Sequence, residues 1–269
     1  MKLIKVKPST NGSRHQIKIE KSALLKNVKI FKNLRTKKAD ANGRSTITGH
    51  ITAWHRGGGH KKLNRVLETN NKPKNGIIIG LSYDPNRSAF ISTNFDLEKR
   101  KFYNNIATNQ TFPGSLLMTN SSLPEIKLGF RSQLKRIPIG TVINNLSQDE
   151  KSNSKYARAA GVAAQLIQVN DNFAKVKLPS NTIIKVKSTS FASIGTVSNP
   201  KHNLITLGKA GISRHLNRRP ITRGIAMNPV DHPHGGRTNG GRPSVTPWGL
   251  PTKSKFSLKK RSKKKHAKI

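Results

Sequence analysis

One short segment of the sequence has the residue types of an acid–base site. Residues 231–234 read Asp-His-Pro-His and place a carboxylate beside two imidazoles, the combination used by a general base and its orienting group. Adjacent residues of an extended, proline-containing segment point in different directions, and no serine is arranged as a nucleophile. The pattern therefore does not predict catalysis, and Asp231 is expected instead to organise a loop through backbone N–H groups.

A second segment, residues 55–61, surrounds three glycines with basic and imidazole donors. Glycine lets the backbone approach a phosphate closely, and Arg supplies a bidentate fork. The spacing does not match a P-loop, which requires Gly, four residues and then Gly-Lys-Ser/Thr, and a solvated loop remains the alternative. The predicted phosphate contacts are His55, Arg56, Gly57, Gly58, Gly59, His60 and Lys61.

Histidines recur every five residues at positions 50, 55 and 60. Neither a helix nor a strand brings that spacing onto one face, so no metal site is predicted there.

The whole chain is strongly basic, with 51 Lys and Arg against 11 Asp and Glu in 269 residues, a net charge of +40. Self-repulsion on this scale destabilises a compact state unless a polyanion neutralises it, so the expected partner is nucleic acid or, less often, an anionic membrane surface. The hydrophobic fraction of 33% predicts a small core. Because the chain has no Cys, disulfides, thiolate zinc sites and Cys nucleophiles are excluded.

The charge is concentrated at the two ends. Residues 1–75 hold 19 basic and three acidic side chains, and residues 201–269 hold 17 basic side chains and one acidic side chain, so each of these two ranges has a net charge of +16. Residues 76–200 have a net charge of only +8. From about residue 200 onward, Gly and Pro recur every few positions and exclude long regular elements. The Lys-rich residues 253–269 are typical of a disordered tail. A folded body between two basic arms is therefore expected.

The middle of the chain has an all-β pattern. Its β-rich runs cover residues 77–83, 89–93, 137–146, 162–169, 173–178, 182–187 and 191–197. Turn signals about 8 to 12 residues apart separate these runs and predict small barrels or sandwiches. Two barrels that divide near Pro124, with one short helix at residues 155–164, account for the length.

Two further sequence features bear on the partner and the compartment. Aromatic residues make up only 5% of the chain, which favours recognition of a folded RNA by shape and charge over reading of splayed bases. No apolar run approaches the roughly 18 residues of a transmembrane helix, and the amino terminus lacks the apolar region of a signal peptide. We therefore expect no membrane partner and a protein that works where it is made.

Residues 220–236, Pro-Ile-Thr-Arg-Gly-Ile-Ala-Met-Asn-Pro-Val-Asp-His-Pro-His-Gly-Gly, resemble the L2 family of large-subunit ribosomal proteins. Further similar segments follow the family's order at residues 5–15, 55–61, 83–89, 137–141, 157–161, 207–211 and 242–249. The resemblance implies an oligonucleotide-binding (OB) barrel followed by an SH3-like barrel, with long irregular basic extensions at both ends. The implied segments are an extension at 1–35, an OB RNA-binding domain at 36–123, an SH3-like domain at 124–200 and a Gly/Pro-rich extension at 201–269.

The function implied by this resemblance is that of a structural constituent of the large ribosomal subunit. Such a protein binds large-subunit rRNA and supports subunit assembly, subunit association and the RNA around the peptidyl-transferase centre, to which Asp231, His232 and His234 are expected to lie close. The implied partners are rRNA, neighbouring ribosomal proteins and the small subunit, with no catalytic residue, cofactor, metal or homo-oligomer. Besides residues 55–61 and these three, the predicted rRNA contacts are Arg87, Arg158, Arg214, Arg218, Arg219, Arg223, Asn228, Arg237 and Arg242.

Residues 240–253 look most like mitochondrial members of the family, so a mitochondrial matrix location is expected, with plastid or bacterial cytoplasm as alternatives. The alternative function is a soluble RNA-binding translation factor, or another basic nucleic-acid-binding protein built on the same barrels. Residues 208–251 discriminate between the two functions, because a transient binder does not need a segment with such a high ordering cost.

Overall fold

The computed structural model describes residues 2–25, 33–37, 43–68, 71, 73–120, 125–237 and 243–252. The chain divides into a larger unit, Met1–Asp40 with Gly59–Leu216, and a smaller unit, Ala41–Gly58 with Asn217–Ile269. Three sequence predictions lie outside the described residues, namely the tail at 253–269, the contact residue Arg242 and the domain division at Pro124.

The described chain is mainly strands. They are β1 (Leu3–Lys5), β2 (Ile17–Ile19), β3 (Arg35–Lys37), β4 (Leu63–Arg65), β5 (Lys74–Ser82), β6 (Ile91–Asp96), β7 (Phe102–Ile106), β8 (Leu116–Thr119), β9 (Arg131–Gln133), β10 (Val142–Asn144), β11 (Leu146–Ser147), β12 (Ser154–Tyr156), β13 (Ala164–Val169), β14 (Phe173–Lys177), β15 (Ile183–Lys187) and β16 (Phe191–Ile194). Helical turns are short: α1 (Ala210–His215) and 3₁₀ segments at Leu134–Arg136, Pro200–Leu204 and Gly224–Ala226. No helix in the described ranges is long and apolar enough to cross a membrane.

Ten of these strands form one sheet in the larger unit, in the order β15-β14-β13-β10-β16-β9-β8-β5-β6-β7. The pairs are antiparallel except β8 with β9, which run parallel and meet at Thr119 and Arg131. This single parallel contact joins the strands that precede residue 120 to those that follow residue 130. Three two-stranded pairs, β1-β2, β3-β4 and β11-β12, complete the described strands.

The main hydrophobic core lies among β9–β16. In β14, Ala174 and Val176 are fully buried, and the residues on either side of them are more exposed, as expected for a strand with one apolar face. The buried members of this core are Phe130, Leu134, Ile137, Ile143, Leu146, Ala164, Leu166, Ala174, Val176, Val186, Ala192 and Ile194. The strands β5–β8 have smaller apolar clusters, and the interior of β6 includes the buried polar residues Ser92, Thr93 and Asn94.

The amino-terminal segment belongs to the larger unit and contains a two-stranded pair. Strands β1 and β2 pair in register from Leu3–Ile19 to Lys5–Ile17, and Ile17 also bridges to Thr206. Gly208 has a φ of +81°, and a Cβ at this position would lie 2.4 Å from the Gly12 carbonyl oxygen. Only glycine allows this close approach of the two backbones.

The all-β prediction is confirmed, but the helix predicted at residues 155–164 is wrong. Part of this segment forms β12, and Ala157 and Gly161 have positive φ values of 50° and 67°, which interrupt a helix. The described helix α1 instead lies in the Gly/Pro-rich region, where its six residues fit between Gly208 and Pro220.

A buried arginine holds β9 against its neighbours. Arg131 donates to Asn71 Oδ1 at 2.9 and 3.1 Å, to the Asn145 carbonyl at 2.8 Å, to Ser154 Oγ at 2.9 Å and to Ser193 Oγ at 3.4 Å. All five guanidinium N–H groups are thereby engaged by neutral oxygens. Burial lowers the pKa of Arg131 to about 10, so the side chain remains protonated at neutral pH.

We expect Arg131→Met to lower the free energy of unfolding by about 2 kcal/mol, because several buried acceptors lose their donor. The control is Arg136→Met, which removes an exposed guanidinium and should change stability by less than about 0.5 kcal/mol. Urea unfolding followed by far-UV circular dichroism measures both. Equal effects of the two variants would contradict a structural role for Arg131.

Candidate nucleic-acid interface

The larger unit has two pairs of neighbouring arginines, Arg35 with Arg65 and Arg87 with Arg158, and the buried carboxylate of Asp84 interacts with one member of each pair, Arg65 and Arg87. We call these four residues the arginine cluster. Arg35 and Arg65 lie directly opposite each other in the β3-β4 pair, an arrangement in which like charges repel. Burial lowers the pKa of Arg65; the charge of Asp84 opposes this shift, and repulsion from Arg35 adds to it.

The carboxylate of Asp84 is fully buried and already has two partners. Its Oδ2 accepts a hydrogen bond from Arg87 Nε at 2.7 Å, and its Oδ1 accepts one from the Asn86 N–H at 2.8 Å. The bond from Asn86 fixes the turn that follows β5, and the ion pair fixes Arg87 on this turn. One buried carboxylate therefore positions the loop but leaves most of the cluster's positive charge uncompensated.

Two neighbouring loops bring Arg87 and Arg158 together. The Ala160 N–H donates to Ser88 Oγ at 3.1 Å, and Arg158 Nη1 donates to the Ser154 carbonyl at 3.0 Å. Burial lowers the pKa of Arg158, and the nearby charge of Arg87 lowers it further. Both residues were predicted from the sequence as RNA contacts. Arg35 and Arg65 were not, because their proximity depends on a strand register that the sequence does not reveal.

The glycine-rich segment and the arginine-rich segment were predicted separately, but their backbones pair. In the smaller unit, the Gly57 N–H donates to the Asn217 carbonyl at 3.3 Å, and the Arg219 N–H donates to the His55 carbonyl at 3.0 Å. In the larger unit, the His60 N–H donates to the His215 carbonyl at 3.2 Å. In the smaller unit, these bonds form a short backbone ladder between residues 55–57 and 217–219.

The remaining predicted contacts are mostly at the surface. The exposed side chains are His55, Arg56, His60, Lys61, Arg214, Arg218, Arg219, Arg223, Asn228 and Arg237. Gly58 is exposed as well, and Gly57 and Gly59 are partly buried. The positively charged members are thus accessible to a polyanion.

Residues 227–236, which we call the signature loop, are closed by their own backbone. The N–H groups of Asp231 and His232 both donate to the Asn228 carbonyl, at 3.0 and 3.2 Å, and the Gly236 N–H donates to the Met227 carbonyl at 3.2 Å. A Cβ on Gly235 would lie 2.2 Å from the Asn228 oxygen, so the loop closes only around glycine. The residues bearing the acid–base pattern are therefore held in a compact turn.

The organising residue of this loop is His232, and the expectation that Asp231 has this role is wrong. His232 is 8% exposed, its Nδ1 accepts a hydrogen bond from the His234 N–H at 3.0 Å, and its ring packs on Gly224. Asp231 is exposed, and its carboxylate has no hydrogen-bond partner among the residues that the structure describes. The carboxylate therefore does not orient either imidazole as a general base would require.

His234 extends the loop contacts to the following segment. Its Nε2 lies 3.0 Å from the Pro243 carbonyl oxygen and 3.2 Å from the Val245 amide nitrogen. The ring centroids of His232 and His234 are 4.7 Å apart. Both imidazoles are thus occupied in holding the loop and its neighbour in place.

The sequence interpretation missed one aromatic contact in the smaller unit. Trp54 and Trp248 have ring centroids 5.7 Å apart, and both side chains are exposed. The sequence did contain a feature that could have indicated this contact. Trp54 and Trp248 are the only two tryptophans of the chain, and they lie in its two most basic regions.

Comparisons with known proteins match both halves of the chain. Residues 31–119 match the family model "Ribosomal Proteins L2, RNA binding N-terminal domain", and residues 127–249 match "Ribosomal Proteins L2, C-terminal domain". Together with the β architecture, these matches confirm the predicted fold class of an OB barrel followed by an SH3-like barrel.

Full-length relatives agree with the domain matches. The large ribosomal subunit protein uL2m of Reclinomonas americana is 42% identical over 275 residues, covering 100% of this chain and 97% of the relative. The uL2 proteins of Rickettsia massiliae and Rickettsia rickettsii are each 39% identical over 264 residues, covering 96% of this chain and 95% of each relative. By the length and level of this identity, the chain belongs to the L2 family of ribosomal proteins.

Proposed function

We propose that this protein is a structural constituent of the large ribosomal subunit that binds large-subunit rRNA. The observation that carries the proposal is the arginine cluster, in which Arg35 lies opposite Arg65 and Arg87 lies near Arg158, while the carboxylate of Asp84 is buried and engaged. The guanidinium fork matches the geometry of phosphate oxygens. Family membership identifies the polyanion as rRNA.

Binding is driven by the release of counterions from the rRNA. Each arginine or lysine that neutralises a phosphate releases condensed cations, so the affinity falls steeply as salt rises. RNA binding also relieves the repulsion between Arg87 and Arg158 and between Arg35 and Arg65. The pre-formed sheet supplies shape, and these arginines supply charge at fixed positions.

The signature loop approaches the RNA of the peptidyl-transferase centre in this proposal, and it acts there by position. Its closure around Gly235 and the burial of His232 support a rigid element that contacts RNA through exposed side chains such as Asn228 and Asp231. Because its imidazoles hold protein groups, we assign the loop no catalytic step. Neighbouring ribosomal proteins and the small subunit are the further proposed partners.

A mitochondrial ribosome is the proposed location. This assignment is supported by the mitochondrial character of residues 240–253 and by the 42% identity with the uL2m protein. The Rickettsia relatives at 39% identity are nearly as similar, so fractionation of the source cells is the deciding measurement.

The protein is expected to co-sediment with large ribosomal subunits at physiological salt and to leave them only at high salt. Sucrose-gradient fractions from purified mitochondria, probed with an antibody to this chain, measure both properties. A soluble translation factor would instead be found mainly free of subunits at physiological salt, and that distribution would contradict the proposal.

Replacing both Arg87 and Arg158 with Ala should weaken binding to large-subunit rRNA and reduce the slope of log affinity against log salt by about 2, at about 0.9 for each lost phosphate contact. Filter binding across a salt series measures this slope. Lys187→Ala is the control, because it removes a cation that, like Arg87, is paired with a carboxylate but is not among the predicted contacts. An unchanged slope in the double variant would exclude the arginine cluster from phosphate contact.

Gly235→Ala is expected to leave the protein in the large subunit but to lower the rate of peptide-bond formation by up to about a hundredfold, because a displacement of about 1 Å near a reacting centre has an effect of this size. Gly211→Ala in α1 is the control, since a Cβ there meets no atom within 4 Å. Single-turnover assays on reconstituted subunits compare the two. Full activity with Gly235→Ala would place the signature loop away from the centre.

A further inference from the structure

We infer that Trp54 and Trp248 form a stacking platform for an unpaired base of the bound RNA, with Trp248 as the contacting ring. The inference rests on the proposed RNA-binding function and adds a second mode of recognition to it. The arginine cluster contacts phosphates, whereas these rings read the flat face of a base. This mode differs from the expectation, based on the low aromatic content, that splayed bases are not read.

The exposure of the two rings is the first argument. Trp54 is 55% exposed and Trp248 is 68% exposed, although each has one of the largest apolar surfaces among side chains. A pair that served only to join two loops would bury its rings against a core. Yet none of the hydrophobic clusters in the described part of the chain includes a residue of the smaller unit. The rings therefore present apolar faces to a partner.

Local backbone structure fixes Trp248 at the tip of a hairpin. The Thr246 N–H donates to the Leu250 carbonyl at 2.8 Å, the Gly249 N–H donates to the Thr246 carbonyl at 2.9 Å, and the Thr252 N–H donates to the Ser244 carbonyl at 3.0 Å. Gly249 has a φ of +77°, the left-handed conformation that closes short hairpin loops. The ring is thus held out on a short, hydrogen-bonded support.

Trp54 is held by a second set of backbone contacts. The N–H groups of Thr52 and Ala53 both donate to the Gly43 carbonyl, at 2.8 and 2.9 Å, and the next residue, His55, has a φ of +56°. A Cβ at Gly43 would clash with the Ala53 oxygen, so this turn depends on glycine. Both rings are therefore ordered before RNA binds, which reduces the entropic cost of stacking.

The ring geometry determines how a base can bind. The ring planes are tilted by 45°, and the centroids are 5.7 Å apart. A base inserted between two rings requires parallel planes about 7 Å apart, twice the roughly 3.4 Å spacing of stacked bases. The pair therefore cannot sandwich a base, and a base stacks on the outer face of the more exposed ring, Trp248.

Charge identifies the partner as nucleic acid. The two sequence stretches of the smaller unit hold 16 Lys and Arg and a single acid, Asp231. Arg56, two residues after Trp54, pairs with Arg218 on the adjacent backbone, and both side chains are exposed. A ligand with flat apolar faces and regularly spaced negative charges matches this surface, and single-stranded RNA has both.

The test uses the full chain with two probes, an oligoadenylate of about 12 nucleotides and an abasic oligonucleotide of the same length and charge. Because Trp54 and Trp248 are the only tryptophans, their intrinsic fluorescence reports on this site alone. Oligoadenylate is expected to quench the fluorescence, and the abasic strand is expected to bind with little quenching. The Trp54→Phe variant, in which Trp248 is the single reporter, should retain the quenching.

The Trp248→Ala variant is expected to bind oligoadenylate about tenfold more weakly, while its affinity for the abasic strand should not change. Leu250→Ala is the matched control, because it removes an equally exposed apolar side chain from the same hairpin without removing an aromatic face. Equal weakening toward both probes would show that Trp248 only supports the loop and would overturn the inference.

Two further outcomes separate this inference from the proposed function. Salt-sensitive binding of oligoadenylate without any tryptophan quenching overturns the platform but leaves RNA binding intact. Quenching by phosphatidylglycerol vesicles but not by oligoadenylate overturns the platform in favour of a lipid surface. No binding of the full chain to either probe or to large-subunit rRNA contradicts both proposals.

Discussion

Cationic side chains outnumber carboxylates by 51 to 11 in this chain, and their mutual repulsion is the force that the fold has to accommodate. The larger unit does so by using carboxylates locally. Asp84 holds Arg87, Glu68 pairs with Lys74 at 3.1 Å, and Asp96 accepts hydrogen bonds from its own turn. These acids shape loops and do not neutralise the surface. The compensating negative charge has to come from phosphates, so the same repulsion that weakens the free protein favours its complex.

Stability and recognition are assigned to different parts of the larger unit. The strands β9–β16 enclose most of the buried apolar side chains, and Arg131 ties β9 to Asn71 and to the segment around Ser154 through neutral oxygens. The arginine cluster lies on β3, β4 and two loops that this framework supports. A rigid core therefore positions charges that repel one another, which a loosely packed chain would not do.

Alternation and turn residues predicted the strands of the core well, because β13–β16 are apolar on one face and are separated by clear breakers. Strands such as β7 and β9 were missed, since Arg131–Gln133 is short and polar and Phe102–Ile106 is short and has two asparagines that break its apolar pattern. Arg87 and Arg158 were predicted as contacts, but the roles of Arg35, His232 and Trp54 were not. Those roles depend on strand register, burial and a contact between residues 194 positions apart, none of which local patterns encode.

The ladder between His55 and Arg219 joins positions 164 residues apart. A growing chain is made at roughly 5 to 20 residues per second, so residues 43–58 wait on the order of ten seconds before their partners exist. The larger unit is made in that interval and can fold first, whereas the smaller unit closes only after residues 217–252 have been made. The two units, although interleaved in the sequence, can therefore be completed at different times. A nascent chain can therefore complete this framework well before residues of the signature loop and the tryptophan pair have been made.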